Sequence, residues 1–201
     1  MKPFLSFVLF FWALVSLAQE TASIPRWSMQ VDAGIGFSEM KSPDFNIMGF
    51  VSRGQWRLLY APKEHLRLEM GLGYSQFAQS TLQQSEREYT SFKVNTVELP
   101  LKFVKRYPVL LDKLYLNYGL GFQLSAPVGH ELKTPTLSES SSKGGTWFVS
   151  GVALVGLEAH ASARTKLFFY GEYNATRQKG NYIAAQQFLI NFSVIYAMKI
   201  R

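Results

Sequence analysis

From Trp27 to Met198 the chain repeats one pattern, an apolar side chain at every second position with a polar or small residue between. A period of two marks extended strands whose two faces meet different surroundings. The first segment sets Trp27, Met29, Val31, Ala33, Ile35 and Phe37 against Ser28, Gln30, Asp32, Gly34, Gly36 and Ser38. The second, over 47–60, sets Phe50, Trp56, Leu58 and Tyr60 against Val51, Arg53, Gln55 and Arg57. The third, over 66–78, opposes Leu66, Leu68, Met70, Leu72 and Tyr74 to Arg67, Glu69, Gly71, Gly73 and Ser75. The fifth, over 114–124, opposes Leu114, Leu116, Tyr118, Leu120 and Phe122 to Tyr115, Asn117, Gly119, Gly121 and Gln123. The sixth, over 147–160, places Trp147, Val149, Ala153, Val155 and Leu157 opposite Ser150, Gly156, Glu158 and His160. The seventh, over 167–176, turns Leu167, Phe169 and Tyr173 away from Glu172 and Asn174. The eighth, over 187–200, carries Phe188, Ile190, Phe192, Val194, Tyr196 and Met198 against Asn191, Ser193 and Lys199.

The fourth segment, over 91–105, is less regular. Val97, Leu99, Leu101 and Phe103 share one face and Glu98, Pro100 and Lys102 the other, while Phe92 and Val94 have the opposite parity. That mismatch predicts a bulge near Asn95-Thr96. Pro100 has no N–H to give to a ladder and is unusual inside a paired strand.

Eight strands of about ten or more residues, even in number, predict an all-β fold: an eight-stranded antiparallel up-and-down transmembrane β-barrel. Counted from a first strand that rises from the periplasm, the lower turns fall at Ala61–His65, Tyr107–Lys113 and Ala161–Lys166. The upper loops fall at Glu39–Asn46, Gln79–Thr90, Ser125–Thr146 and Arg177–Gln186, each longer than every lower turn. Short periplasmic turns and longer outer loops characterise such barrels. The polar, Ser/Thr-rich stretch Thr134–Gly145 reads as mobile.

A soluble β-sandwich or lipocalin-like barrel also alternates, but it points its apolar face inward. Here the polar face holds glycines and charges of both signs, and the apolar face holds large aromatics near strand ends. Trp27, Tyr60 and Tyr196 fall near the periplasmic level; Tyr74, Phe122, Trp147, Tyr173 and Phe188 fall near the outer one. Two aromatic levels are the girdles of a membrane barrel.

The first eighteen residues read differently. Lys2 precedes the apolar run Phe4–Leu17, and Ser16-Leu17-Ala18 fits the small-x-small cleavage rule. The run would reach only about 21 Å as a helix, short of the roughly 30 Å hydrocarbon core. Residues 1–18 are therefore expected to be a cleaved signal peptide and 19–201 the barrel domain. The longest later apolar stretch, Gly151–Leu157, is too short to span as a helix.

Composition narrows the chemistry. The 201 residues contain no cysteine, which removes disulfides, cysteine-metal sites, thiol catalysis and a lipid-modified cysteine anchor. Aromatics make up 15% and charged residues 17%, which excludes a disordered chain. The net charge of +7 is read as Lys and Arg near the membrane edges, where they can meet anionic lipid headgroups. Outer-membrane lipids are thus expected partners; a nucleic acid is not.

The chain resembles the PorT-like family of small outer-membrane β-barrels. The likeness is carried by Ala18-Gln19, by Val97-Glu98-Leu99-Pro100-Leu101, by Gly119-Leu120-Gly121 and by the Gly151–Glu158 segment. It implies an eight-stranded barrel in the bacterial outer membrane, in a family that includes a component of the type IX secretion machinery. It implies no catalytic residue. The chain departs from many outer-membrane proteins in ending Ile200-Arg201 without a terminal aromatic, although Tyr196 lies near.

By parity, Asp32, Glu69, Glu98, Glu158 and Glu172 face the lumen together with Arg53, Arg57, Arg67 and Lys102. In an interior just wide enough for side chains, these charges predict a packed salt-bridge network in place of an ion path. The pairs Gly34/Gly36, Gly71/Gly73 and Gly119/Gly121 read as small residues that make room inside a narrow barrel. His65, His130 and His160 are too dispersed for a metal site, and no P-loop, H-E-x-x-H or G-x-S-x-G motif occurs. His160-Ala161-Ser162, with Glu172 a strand later, resembles the His-x-Ser plus acid arrangement of outer-membrane lipid A deacylases. That group falls at a periplasmic turn, whereas lipid A lies in the outer leaflet. The sequence therefore favours a non-enzymatic barrel with no catalytic, cofactor or metal residues. Its expected role is structural or accessory, beside other envelope or secretion-complex proteins, with a deacylase-like esterase as the alternative.

Overall fold

The computed structural model describes residues 27–42, 45–81, 90–110, 113–133, 138–141, 147–177 and 184–198. The expected leader, its cleavage site and the Ile200-Arg201 end lie outside the described residues. The described strands are β1 (Trp27–Ser42), β2 (Phe45–Lys63), β3 (Leu66–Thr81), β4 (Thr90–Leu110), β5 (Leu114–Lys133), β6 (Ser138–Ser141), β7 (Phe148–His160), β8 (Thr165–Arg177) and β9 (Ala184–Ala197). Neighbours run in the order β4-β3-β2-β1-β9-β8-β7-β5, all antiparallel, and a β4–β5 pairing closes the ring. The result is a closed eight-stranded up-and-down barrel, with β6 added to the projecting end of β5. Among the described residues there is no helix.

The register is pinned by the faces. β1 pairs without a break from Trp27↔Tyr60 to Ser42↔Phe45 on one side and from Ser28↔Ala197 to Lys41↔Ala184 on the other. A slip by one residue would move every lumenal charge to the outside, so the alternation itself fixes the pairing. Leu120 is 69% exposed and Phe37 66%, whereas Arg57, Glu69 and Glu172 are fully buried. The large apolar side chains form the outer surface and the charges form the core, as the parity argument requires.

The strands project further than the alternation shows. β1 and β2 extend through most of Glu39–Asn46, leaving only 43–44 between them, so this upper connection is not longer than the lower turn at Glu64–His65. Tyr107–Leu110 belongs to β4, and the stretch expected to be mobile, Thr134–Gly145, contains β6, which pairs with His130–Lys133. Polar residues continue a strand once both of its faces leave the apolar layer, so the period-two signal ends before the hydrogen bonding does.

A register shift falls at Asn95/Thr96, where the parity mismatch predicts a bulge, but the extra residue is on the neighbouring strand. The β3–β4 register runs straight through Gln76↔Asn95 and Ser75↔Thr96, but β5 shifts there, with Asn95↔Gly129 followed by Thr96↔Pro127. The extra residue is Val128 on β5, beside Pro127, and not a residue of β4. The other register shifts fall at Tyr60/Lys63 and Pro108/Leu110, at Pro62 and Pro108. Opposite Pro100 the β3 ladder is interrupted between Met70↔Leu101 and Gly73↔Glu98. Each irregularity sits where proline removes a donor.

Barrel curvature explains the inward glycines. On the concave face, Cβ positions converge on the neighbouring strand: a Cβ at Gly71 would lie 2.1 Å from the Trp56 carbonyl oxygen. On the convex face, a Cβ at Gly54 meets nothing nearer than the Asp32 carbonyl at 4.0 Å.

Candidate functional site

The interior is assembled from alternate residues of all eight barrel strands. Arg57 of β2 holds Asp32 of β1 in a two-pronged contact, Nε to Oδ2 and Nη2 to Oδ1, both at 2.7 Å. Its Nη1 also donates to Glu69 and its Nη2 to the Tyr170 hydroxyl. Arg67 of β3 continues the chain, donating to Glu69 Oε1 at 2.7 Å and to Glu158 Oε2 at 2.6 Å. Glu158 of β7 further accepts Arg106 Nη2 at 2.6 Å and Asn117 Nδ2 at 2.9 Å, with Lys166 Nζ at 3.4 Å.

A second group lies nearer the loop end. Arg53 donates to Glu172 Oε1 at 2.5 Å and to Asn191 Oδ1 at 3.0 Å, and Lys102 donates to the other Glu172 oxygen. Glu98 is satisfied by neutral donors, Gln55 Nε2 at 2.9 Å and Ser75 Oγ at 2.6 Å. Aromatic rings fill the space between the ions. Phe168 and Tyr170 stack at 4.5 Å, with the Arg67 guanidinium 5.4 Å from the first ring and Arg57 5.3 Å from the second. Arg106 lies 4.3 Å from the Tyr115 ring. Burying ions is costly unless their partners and hydrogen bonds are in place; each guanidinium, ammonium and carboxylate described above has a partner, while Arg53 Nε and Arg106 Nε are left without an acceptor.

All nine lumenal charges expected from the sequence are brought inside. Arg106, Lys166 and the ring pair Phe168/Tyr170 were not anticipated. Arg106 shares the parity of Glu98 and Lys102, a signal hidden by ending the fourth segment at 105. Phe168 and Tyr170 share the parity of Glu172, which puts them on the lumenal face, but both faces of Leu167–Tyr170 are apolar and no polar residue there marks the inner one.

The His160, Ser162 and Glu172 group is not brought together. His160 stacks on Tyr115 at 5.2 Å, and the carboxylate near it is Glu158, at 3.9 Å. Ser162 Oγ accepts the backbone N–H groups of Arg164 and Thr165 at 3.2 and 3.0 Å, which makes it a turn residue. His160 pairs with Lys166, and Glu172 lies further along β8 by about 20 Å at roughly 3.3 Å per residue. Glu172 is also occupied by Arg53 and Lys102. A base oriented by that acid is absent from this geometry. Among the described residues no group of three His, Asp or Glu is arranged to hold a metal ion.

A closed ring of eight strands, an apolar exterior and an interior filled by ion pairs define a transmembrane β-barrel of the outer-membrane type. Among solved structures the chain is similar to Neisserial surface protein A, with a TM-score of 0.56 at 14% identity over 89% of this chain and 100% of that one. Ail, the attachment invasion locus protein of Yersinia pestis, aligns at 12% identity over 86% of this chain and 100% of its own, with a TM-score of 0.46. The N-terminal β-barrel domain of Pseudomonas aeruginosa OprF aligns at 8% identity over 84% and 97%, with a TM-score of 0.47. At these identities the likeness concerns the fold, and the first of the three carries it. No protein-family model and no curated protein matches the chain.

Proposed function

We propose that the chain is an integral protein of the bacterial outer membrane with a structural or accessory role in an export or envelope-assembly complex. The observation that carries this reading is the sealed interior: Arg57, Lys102, Glu69 and Glu172 are fully buried and mutually paired, so the barrel offers no lumenal path. Work is then left to the surfaces, namely the projecting β4–β5–β6 end and the lipid-facing wall. The Val97–Leu101 segment, by which the chain resembles PorT-like barrels, lies in β4 and supports the same direction. Export by a signal peptide cleaved after Ala18 completes the reading, with Gln19 as the first residue of the mature protein.

The test is affinity isolation of the full chain in mild detergent, followed by mass spectrometry. An accessory protein brings specific envelope proteins with it. A chain isolated alone that deacylates lipid A would overturn the proposal. Ser162→Ala is expected to leave lipid A acylation unchanged, because the hydroxyl closes a turn.

A further inference from the structure

The lipid-facing wall is apolar along most of its height, which makes one polar group on it informative. Lys105 of β4 points outward at the level of the β2–β3 turn, paired across the sheet with Leu66 and with Tyr118. Its Nζ lies 5.0 Å from the centre of the Tyr107 ring. Tyr107 stacks on Tyr118 at 5.6 Å, and the two hydroxyls are 3.3 Å apart. Lys63 pairs with Leu66 from the other side, so two lysines flank Leu66 in one row, their backbones about 10 Å apart at roughly 4.8 Å per strand. Among the described residues no carboxylate forms an ion pair with either lysine. Glu64, in the same turn, gives its backbone carbonyl to Arg106.

We propose that Lys105, Tyr107 and Tyr118, with Lys63 beside them, form a binding site for the phosphate of an anionic phospholipid in the leaflet at the short-turn end. The ammonium supplies the charge, and the Tyr107 hydroxyl, which accepts from the Tyr118 hydroxyl, supplies a neutral donor on the same side. Just inward of the row, Phe103 and Leu120 are 54% and 69% exposed and face each other across β4 and β5. A phosphate held at Lys105 therefore continues into an apolar surface that acyl chains cover. A free anion has no use for that surface, so the occupant is a lipid. The height is consistent: a lysine on the lipid side is expensive at the midplane and far less so near an interface. At the opposite end of the same strand Lys93 has a carboxylate partner, Glu131, at 3.9 Å.

The site rests on the membrane-protein reading, and the experiment separates the two. The full chain is folded into micelles holding equal amounts of phosphatidylglycerol and phosphatidylcholine, and retained lipids are counted by native mass spectrometry. Heat-modifiable gel mobility reports the folded barrel in parallel. Wild type is expected to retain phosphatidylglycerol over phosphatidylcholine about fivefold, the factor equal to about 1 kcal/mol for one lysine at an anionic surface. Lys105→Gln abolishes the preference, the double variant Tyr107→Phe/Tyr118→Phe reduces it, and Lys93→Gln, the same charge change at the other end, leaves it intact. Excess inorganic phosphate leaves the lipid adduct in place. Equal loss in Lys105→Gln and Lys93→Gln, or displacement by phosphate, overturns the site while the folded barrel persists. Failure of wild type to fold in lipid overturns the membrane reading and the site with it.

Discussion

Glu69 and Met70 are neighbours on β3 and live in opposite solvents. Glu69 is fully buried between Arg57 and Arg67, while Met70 is 45% exposed on the outer wall. In a water-soluble protein that order would be reversed, because apolar burial is the main driving force for folding. Around this barrel lipid takes the place of water outside, so side-chain transfer from water to the wall is favourable without burial against protein. Inside, the strands enclose too little volume for an apolar core of large residues plus a pore, and the space is taken by long cations threaded between carboxylates. The two faces also differ in how much room they have. Convergent Cβ positions make the inner wall intolerant of added atoms, and divergent ones leave the outer wall open.

The largest expected effect comes from emptying the centre of the inner network. Arg57→Ala strands Asp32 and Glu69 and is expected to cost about 3–5 kcal/mol, the penalty for uncovering a buried charge. Urea unfolding of vesicle-inserted protein measures it. Next comes an ion on the outer face: Met70→Arg is expected to cost about 2–4 kcal/mol near the midplane. Glu69→Gln should do less damage, since Arg57 keeps Asp32 and Arg67 keeps Glu158. The folded fraction in the gel-mobility assay ranks the two, and the reverse order would mean that the face assignment is wrong. Crowding separates the faces at smaller scale. Gly71→Ala forces a clash with the Trp56 carbonyl and is expected to cost about 1–3 kcal/mol. Gly54→Ala, on the strand beside it, has open space and should stay within about 0.5 kcal/mol of wild type. Equal effects at the two glycines would remove curvature as the explanation.

The faces were legible because their signal is redundant. Every strand repeats it, and closing the ring tests each register against two neighbours, so the assignment of Arg53, Arg57, Glu69, Glu158 and Glu172 to the lumen needed no knowledge of distance. Strand ends were not legible. Beyond the apolar layer, residues such as Lys93, Asn95, Gln186 and Gln187 have no reason to alternate, although the backbone ladder goes on. Arg106 and Lys166 were hidden for this reason: Arg106 falls between the fourth segment, which ends at 105, and the turn that begins at Tyr107, and Lys166 lies in a segment read as a turn. Bulges were half legible: the mismatch at Asn95-Thr96 marked the right level, but the strand that carries the extra residue was betrayed only by Pro127. The His160-Ala161-Ser162 spacing shows the converse failure, a local match that says nothing about where the third member, Glu172, points.

The central claim, that lipid covers the outside of a filled barrel, is tested most directly with the chain's own Trp56. It lies on the outer face between Val31 and Leu72 and is 47% exposed. In a full chain carrying Trp12→Phe, Trp27→Phe and Trp147→Phe, folded into vesicles, Trp56 is the sole remaining tryptophan. Lipids with brominated acyl chains are predicted to quench its fluorescence, and aqueous iodide is predicted to leave it bright. Strong quenching by iodide with none by the brominated lipids would contradict the account, because the apolar wall would then be facing water.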